Sequence, residues 1–231
     1  MKEGPDISEL GALIGVPGRA NMLLALMDGR ALTAGELAGE AGVSLQTASG
    51  HLARLLDGGL LEVGQQGRHR YFRLAGEDVA DALSALLALS ETRGRKRLRT
   101  GPRDADLRLA RSCYHHLAGE LGVQLYDSLR AKGWIHLDGD GIGLSREGAE
   151  ALTAMGIDLS QAKGPLCREC LDWSERRMHL AGPLGKAVLT FVLTKGWAVR
   201  DPDSRAIRFS AQGRRAFDAA FPVAEGVLAG E

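Results

Sequence analysis

Apolar residues recur along this chain at helical spacing, and glycine breaks the pattern at short intervals. Met22, Leu23, Leu24, Leu26 and Met27 form one apolar helix that stops at Asp28-Gly29. Thr33 opens a second helix: its hydroxyl can cap the helix, and Glu36 can close a capping box. Leu37 and Ala41 give that helix an inner face, and Gly42 ends it. Ser44 caps a third helix, in which Ala48, Leu52, Leu55 and Leu56 share a face before Gly58-Gly59. Residues 60–63 and 71–74 read as strands around the turn Gln65-Gln66-Gly67. Residues 78–93 predict a helix that is apolar around most of its circumference and so needs burial on more than one side.

The second half repeats part of this design. Lys132-Gly133-Trp134 and Lys195-Gly196-Trp197 each stop a helix and lead through a polar turn to a Ser-capped helix, at Ser145 and Ser210. Residues 59–79 make a third, looser copy. The repeated unit is a helix with a small β-hairpin. The expected fold class is mainly α with small β-hairpins (α+β). A first domain spans 1–99, and a C-terminal helical domain with two hairpins spans 104–231. Between them, Arg93, Arg95, Lys96, Arg97, Arg99 and Arg103 stand with no acid among them, and Thr100-Gly101-Pro102 reads as a linker.

Charge and cysteine usage narrow the classes of function. Over 231 residues, 29 Lys+Arg cancel 29 Asp+Glu, which excludes a protein that coats nucleic acid by bulk charge but allows a local basic surface. The three cysteines, Cys113, Cys167 and Cys170, make a poor disulfide framework and point to a reducing compartment. The N-terminus lacks signal-peptide patterning, and no apolar run approaches the ~18 residues of a membrane span. The expectation is a cytoplasmic protein with no membrane partner.

Residues 33–56 have the grammar of a helix–turn–helix: a capped helix, the turn Ala41-Gly42-Val43, then a second capped helix. From Ser44, the second helix exposes Gln46, Thr47, Ser49, Gly50, His51 and Arg54. Small residues let such a helix approach base edges, Gln pairs bidentately with adenine, and His or Arg reaches guanine or phosphate. Arg68, His69 and Arg70 at the following hairpin tip, with Arg73 beyond, form a basic wing. The segment from Leu37-Ala38-Gly39-Glu40-Ala41-Gly42-Val43-Ser44 through Leu45-Gln46-Thr47-Ala48-Ser49-Gly50-His51-Leu52, followed by Leu55, Gly59-Leu60, Gly67-Arg68, Tyr71 and Arg73-Leu74, resembles the ArsR/SmtB family of winged-helix repressors. The resemblance covers about residues 10–95. It implies a homodimer that binds a palindromic double-stranded DNA operator and releases it when an inducer appears. It carries the DNA-reading positions onto Gln46, Thr47, Ser49 and His51, and the wing onto Arg68 and Arg70. It also implies a dimer interface from about Pro17–Met27 and residues 78–93.

The sequence departs from that family at its familiar metal sites. Residues 33–41 hold no cysteine. Asp78 and Asp81 are present, but no histidine follows them before residue 93. Sensing is therefore expected in the C-terminal domain. A helix beginning near Leu166 would place Cys167 and Cys170 where its dipole lowers a thiol pKa. Cys113 and His116, three apart on another helix, would complete a Cys3His set with them for zinc or a similar ion. Incidental buried thiols, thiols that sense an oxidant or electrophile, and a site for zinc, cadmium or lead all fit these residues, and a small-molecule inducer is a further option. No cofactor is required. His179 is isolated in the sequence and is expected to be structural or at the surface, and Asp172–Arg177 to be a solvated helix face. The alternatives in other classes are a winged-helix interaction scaffold without DNA, and a thiol redox enzyme using Cys167 and Cys170. A non-enzymatic regulator is the preferred reading.

Overall fold

Capping chemistry fixes the first elements. The computed structural model describes residues 7–93, 102, 104–138, 141–160 and 164–223; the side chains of the basic run 93–103 lie outside them. Helices α1 (Ile7–Ile14) and α2 (Pro17–Ala25) are followed by a 3-10 turn at Leu26–Asp28 and strand β1 (Leu32–Thr33). Helix α3 (Ala34–Ala41) begins at a complete capping box: the Thr33 hydroxyl accepts from the Glu36 N–H, and the Glu36 carboxylate accepts from the Thr33 N–H at 2.7 Å. Gly42, at φ +64°, ends it in the left-handed conformation that favours glycine. Helix α4 (Leu45–Asp57) starts at Ser44, whose hydroxyl accepts from the Thr47 N–H at 3.2 Å.

The three helices close around Met22, Leu23, Leu26 and Met27, with Leu37, Ala48, Leu52 and Leu55 against them. Met22, Leu23, Leu26 and Met27, in the segment that the resemblance assigned to a dimer face, are buried in the core of their own chain, while Leu24 is half-buried. Strands β2 (Leu61–Gln66) and β3 (His69–Leu74) make an antiparallel hairpin, and β1 adds to β3, giving the order β1-β3-β2. The strands run further toward the tip than the sequence suggested. Gln66 pairs with His69 across a two-residue turn whose Gly67 has φ +59°, the left-handed geometry that matches strand twist in short hairpins. Helix α5 (Glu77–Arg93) follows.

The chain divides into two compact units, Met1–Leu83 and Ser84–Glu231. The division falls within α5, ahead of the linker expected at 100–103. The second unit is built from two copies of one pattern: hairpin, helix, hairpin, helix. After the short helix α6 (Ala105–Leu109), the first copy comprises β4 (Arg111–Cys113), β5 (His116–Ala118), α7 (Glu120–Ala131), β6 (Ile135–Asp138), β7 (Gly141–Leu144) and α8 (Arg146–Met155). The second comprises β8 (Arg168–Leu171), β9 (Met178–Ala181), α9 (Gly182–Thr194), β10 (Ala198–Arg200), β11 (Ile207–Phe209) and α10 (Ala211–Ala220). Ser145 and Ser210 cap α8 and α10 as the sequence predicts. Leu121, Leu125 and Leu129 of α7 share one apolar core with Leu184, Val188 and Val192 of α9.

The two copies exchange partners: α7 packs on β9, and α9 on β5. The exchange needs glycine at matching places. A Cβ on Gly122 of α7 would stand 2.5 Å from the Leu117 carbonyl oxygen and 3.6 Å from the His179 Cβ. A Cβ on Gly185 of α9 would stand 2.6 Å from the Leu180 carbonyl oxygen and 3.0 Å from the His116 Cβ. Among the described residues, no single helix is long and apolar enough to cross a membrane.

Candidate nucleic-acid interface

Helix α4 turns Ala48, Leu52 and Leu55 inward, which leaves Gln46, Thr47, Ser49 and Gly50 exposed on the opposite side. Ser44 and Thr47 tie their hydroxyls together at 2.9 Å, and Ser49 donates to the Leu45 carbonyl at the same distance. Gln46 and the Ser/Thr hydroxyls on this face are the polar groups a major-groove helix presents. His51 is set differently. It is half-buried, and a Cβ on Gly18 of α2 would stand 3.1 Å from its Nε2. Burial first, then the charges of Arg19 and Arg54, lower its pKa. Arg54 is exposed and lines a cleft of about 310 Å³ together with Glu9, Leu13, Arg19 and Asp57.

At the hairpin tip Arg68, His69 and Arg70 are exposed. The Arg68 guanidinium approaches His69 Nε2 at 3.4 Å, and that of Arg70 lies 5.4 Å from the Phe72 ring centroid. Arg73, counted with the wing from sequence, pairs with Glu62 on the neighbouring strand, which offsets its charge. The focused positive surface is therefore the tip itself.

The thiol elements depart from expectation. Cys113 and His116 are not on a helix; they end β4 and begin β5, and they face each other as cross-strand partners. No helix begins at Leu166 either. Cys170 lies in β8, where it pairs across the hairpin with His179. No thiol here sits at a helix N-terminus, so the dipole argument for a redox pair of Cys167 and Cys170 has no basis in this fold. Cys167 precedes β8 and belongs to the apolar core, where burial pushes its thiol up to about 11. The expected Cys3His set is replaced by Cys113, His116, Cys170 and His179, four buried residues whose ligand atoms all lie within 4.8 Å of one another.

Sequence reasoning left His179 out as isolated. The signal was there: His116-Leu117-Ala118-Gly119 recurs as His179-Leu180-Ala181-Gly182, at the same offset as the two tryptophans. The segment Asp172–Arg177 is a turn between β8 and β9, not a solvated helix face. Asp172 is buried and accepts from Arg111 at 2.6 Å, from the Gly119 N–H at 2.7 Å and from Ser174 at 2.7 Å. Burial opposes its charge, but Arg111, His179 and these hydrogen bonds hold its carboxyl at about 2. The Cys113 thiol is lowered well below its usual range, by Cys170 above all and against the effect of burial.

A helical unit whose second capped helix, α4, packs against a basic hairpin defines a winged helix–turn–helix protein. Residues 17–64 match the family model described as a helix-turn-helix domain. The chain is 42% identical over 217 residues to the uncharacterized HTH-type transcriptional regulator YdfF of Bacillus subtilis, covering 93% of this chain and 96% of that protein. It belongs to the HTH-type transcriptional regulators. An HTH-type regulator of Mycobacterium tuberculosis, Rv0324, is 48% identical over 54 residues, which is 21% of this chain and 24% of that one. Among solved structures, it is similar to the homodimeric winged helix-turn-helix domain Mb0332 of Mycobacterium bovis, described as a possible ArsR-family regulator. That match has 27% identity and a TM-score of 0.37, over 41% of this chain and 87% of that one.

Proposed function

We propose that this regulator is a repressor that binds a palindromic operator as a homodimer and releases it when the second unit senses an inducer. The observation that carries the reading is the exposed polar face of α4 beside the basic hairpin tip. Gln46, Thr47 and Ser49 would meet base edges in the major groove. Ser44, His51 and Arg54 would position the helix on the backbone. Arg68, His69 and Arg70 would contact phosphates or the adjacent minor groove. Base contacts would give selectivity, while a few phosphate pairs would give affinity that falls with salt.

The test is fluorescence anisotropy on a palindromic fragment from upstream of the gene, across a salt series. The double variant Arg68→Ala/Arg70→Ala should bind more weakly and reduce the slope of log K against log salt by about two, one for each phosphate contact removed. Gln46→Ala should instead lose discrimination at one base position, worth roughly 1–3 kcal/mol. An unchanged salt slope in the double variant would remove the wing from the interface.

A further inference from the structure

The second unit brings four metal-ligating side chains together from its two copies, and it does so symmetrically. Each copy supplies one cross-strand pair, Cys113 with His116 and Cys170 with His179. Cross-strand partners project from the same face of a hairpin, so each pair acts as a two-pronged grip. The strands that carry the histidines, β5 and β9, lie against each other, which turns the two grips face to face. The imidazole Nε2 atoms of His116 and His179 stand 3.0 Å apart. A tetrahedral zinc with bonds of about 2.0–2.3 Å sets donor–donor edges of about 3.3–3.8 Å, so donors within 4.8 Å need move only about 1 Å to close on an ion.

We propose that Cys113, His116, Cys170 and His179 form a closed, four-coordinate site for a zinc-class divalent cation that joins the two copies of the second unit. Three further features support this set. First, all four side chains are buried, so two thiolates, two neutral imidazoles and a dication form a neutral cluster where an uncompensated charge would be costly. Second, His179 Nδ1 is buried without a hydrogen-bond partner, and the Asp172 carboxylate stands 3.8 Å away, fixed by Arg111, Gly119 and Ser174. Ligation through Nε2 places the histidine proton on Nδ1, facing that carboxylate, which is how outer groups orient a metal-bound histidine. Third, Tyr114 and Arg176 are the two non-glycine residues with left-handed φ among those described, at +55° and +56°, and one lies in each ligand-bearing hairpin loop. In each copy the left-handed residue turns the chain back between the cysteine and the histidine of one pair.

Four protein donors leave no open coordination position, so the site holds its ion rather than activating water. The paired thiolates favour zinc over magnesium or calcium. The proposal concerns the second unit alone and stands whether or not the first unit reads DNA as set out above.

The experiment uses the full chain purified under reducing conditions. Metal analysis should find one zinc per chain, and a chelator should lower the melting temperature, with recovery on adding zinc. Exchange with cobalt(II) should give the visible bands of tetrahedral cobalt and a near-ultraviolet thiolate charge-transfer band. Cys113→Ser and Cys170→Ser should each weaken that band and loosen cobalt at least tenfold. Cys167→Ser should leave the spectrum unchanged. His179→Cys guards against mere misfolding: it should keep tetrahedral cobalt and gain thiolate intensity. A reduced chain that takes up neither zinc nor cobalt overturns the proposal. So does a Cys167→Ser spectrum that collapses, or a Cys113–Cys170 disulfide formed by mild oxidant in a chain that binds no metal when reduced.

Discussion

At the residue scale, the second unit depends on one buried ion pair. Arg111 and Asp172 are 2% and 0% exposed, and Arg111 also donates to Ser174 and to the Leu107 carbonyl while its guanidinium lies 4.9 Å from the Trp173 ring centroid. Such a pair is strongly destabilising to break singly, because the survivor is a buried charge without its counter-ion. Asp172→Ala is expected to cost about 3–5 kcal/mol, and Arg111→Ala a similar amount. The double variant Arg111→Met/Asp172→Leu should lose much less than the two single losses added together. Urea unfolding of the four proteins checks this, and additive losses would show that the two groups do not act as a pair. None of this was visible in the sequence. Asp172 stands in a charged run, Asp172-Trp173-Ser174-Glu175-Arg176-Arg177, and polarity alone cannot separate a solvated run from one whose first member is folded under.

At the element scale, the features set by neighbours in sequence were legible. The Thr33–Glu36 capping box, the Gly42 stop, the Ser44, Ser145 and Ser210 caps and the hairpin after Gly59 depend on groups a few residues apart, and they stand where the pattern puts them. The short strands β4, β5, β8 and β9 were not legible. Each has only three or four residues, too few to show alternation, and their pairing comes from packing under α7 and α9. That error moved Cys113 and Cys170 onto helices and hid the partnership of His116 and His179. The Cys167 misassignment followed, since Cys167 precedes the four-residue strand β8 and packs into the apolar core, while Cys170 within that strand faces His179. The glycines of α7 and α9 offer a direct check on the exchanged packing. Gly185→Ala would press its methyl against the Leu180 carbonyl and the His116 Cβ. It should lower stability by roughly 1–3 kcal/mol, as overpacking does, where alanine in an open helix position would raise it. Thermal melts of Gly185→Ala, with Gly39→Ala of α3 as the open-position control, distinguish the two outcomes; nothing lies within 4 Å of a Cβ built on Gly39.

At the scale of the whole molecule, the helix apolar around its circumference finds partners for only part of its surface within one chain. Val79, Ala80, Leu83 and Ala88 of α5 are buried, while Leu86 and Leu89 remain 44% and 53% exposed. On α1, Ile7 is exposed as well. These side chains are ones a second copy would cover in the proposed homodimer. Leu86→Glu/Leu89→Glu is expected to shift the chain toward monomer in sedimentation velocity and, with it, to weaken binding to a two-half-site operator. A variant that remains dimeric would locate the subunit contact elsewhere.

The duplication within the second unit has a consequence for mass action. All four donors of the cysteine–histidine cluster come from a single polypeptide. Occupancy of such a site is set by free-ion activity alone, and diluting the protein does not empty it. A centre shared between subunits would instead lose its ion as the subunits part. On the proposed cation site, the cell could make very few copies of this regulator, each still able to take up an ion before it meets a second copy in the proposed homodimer.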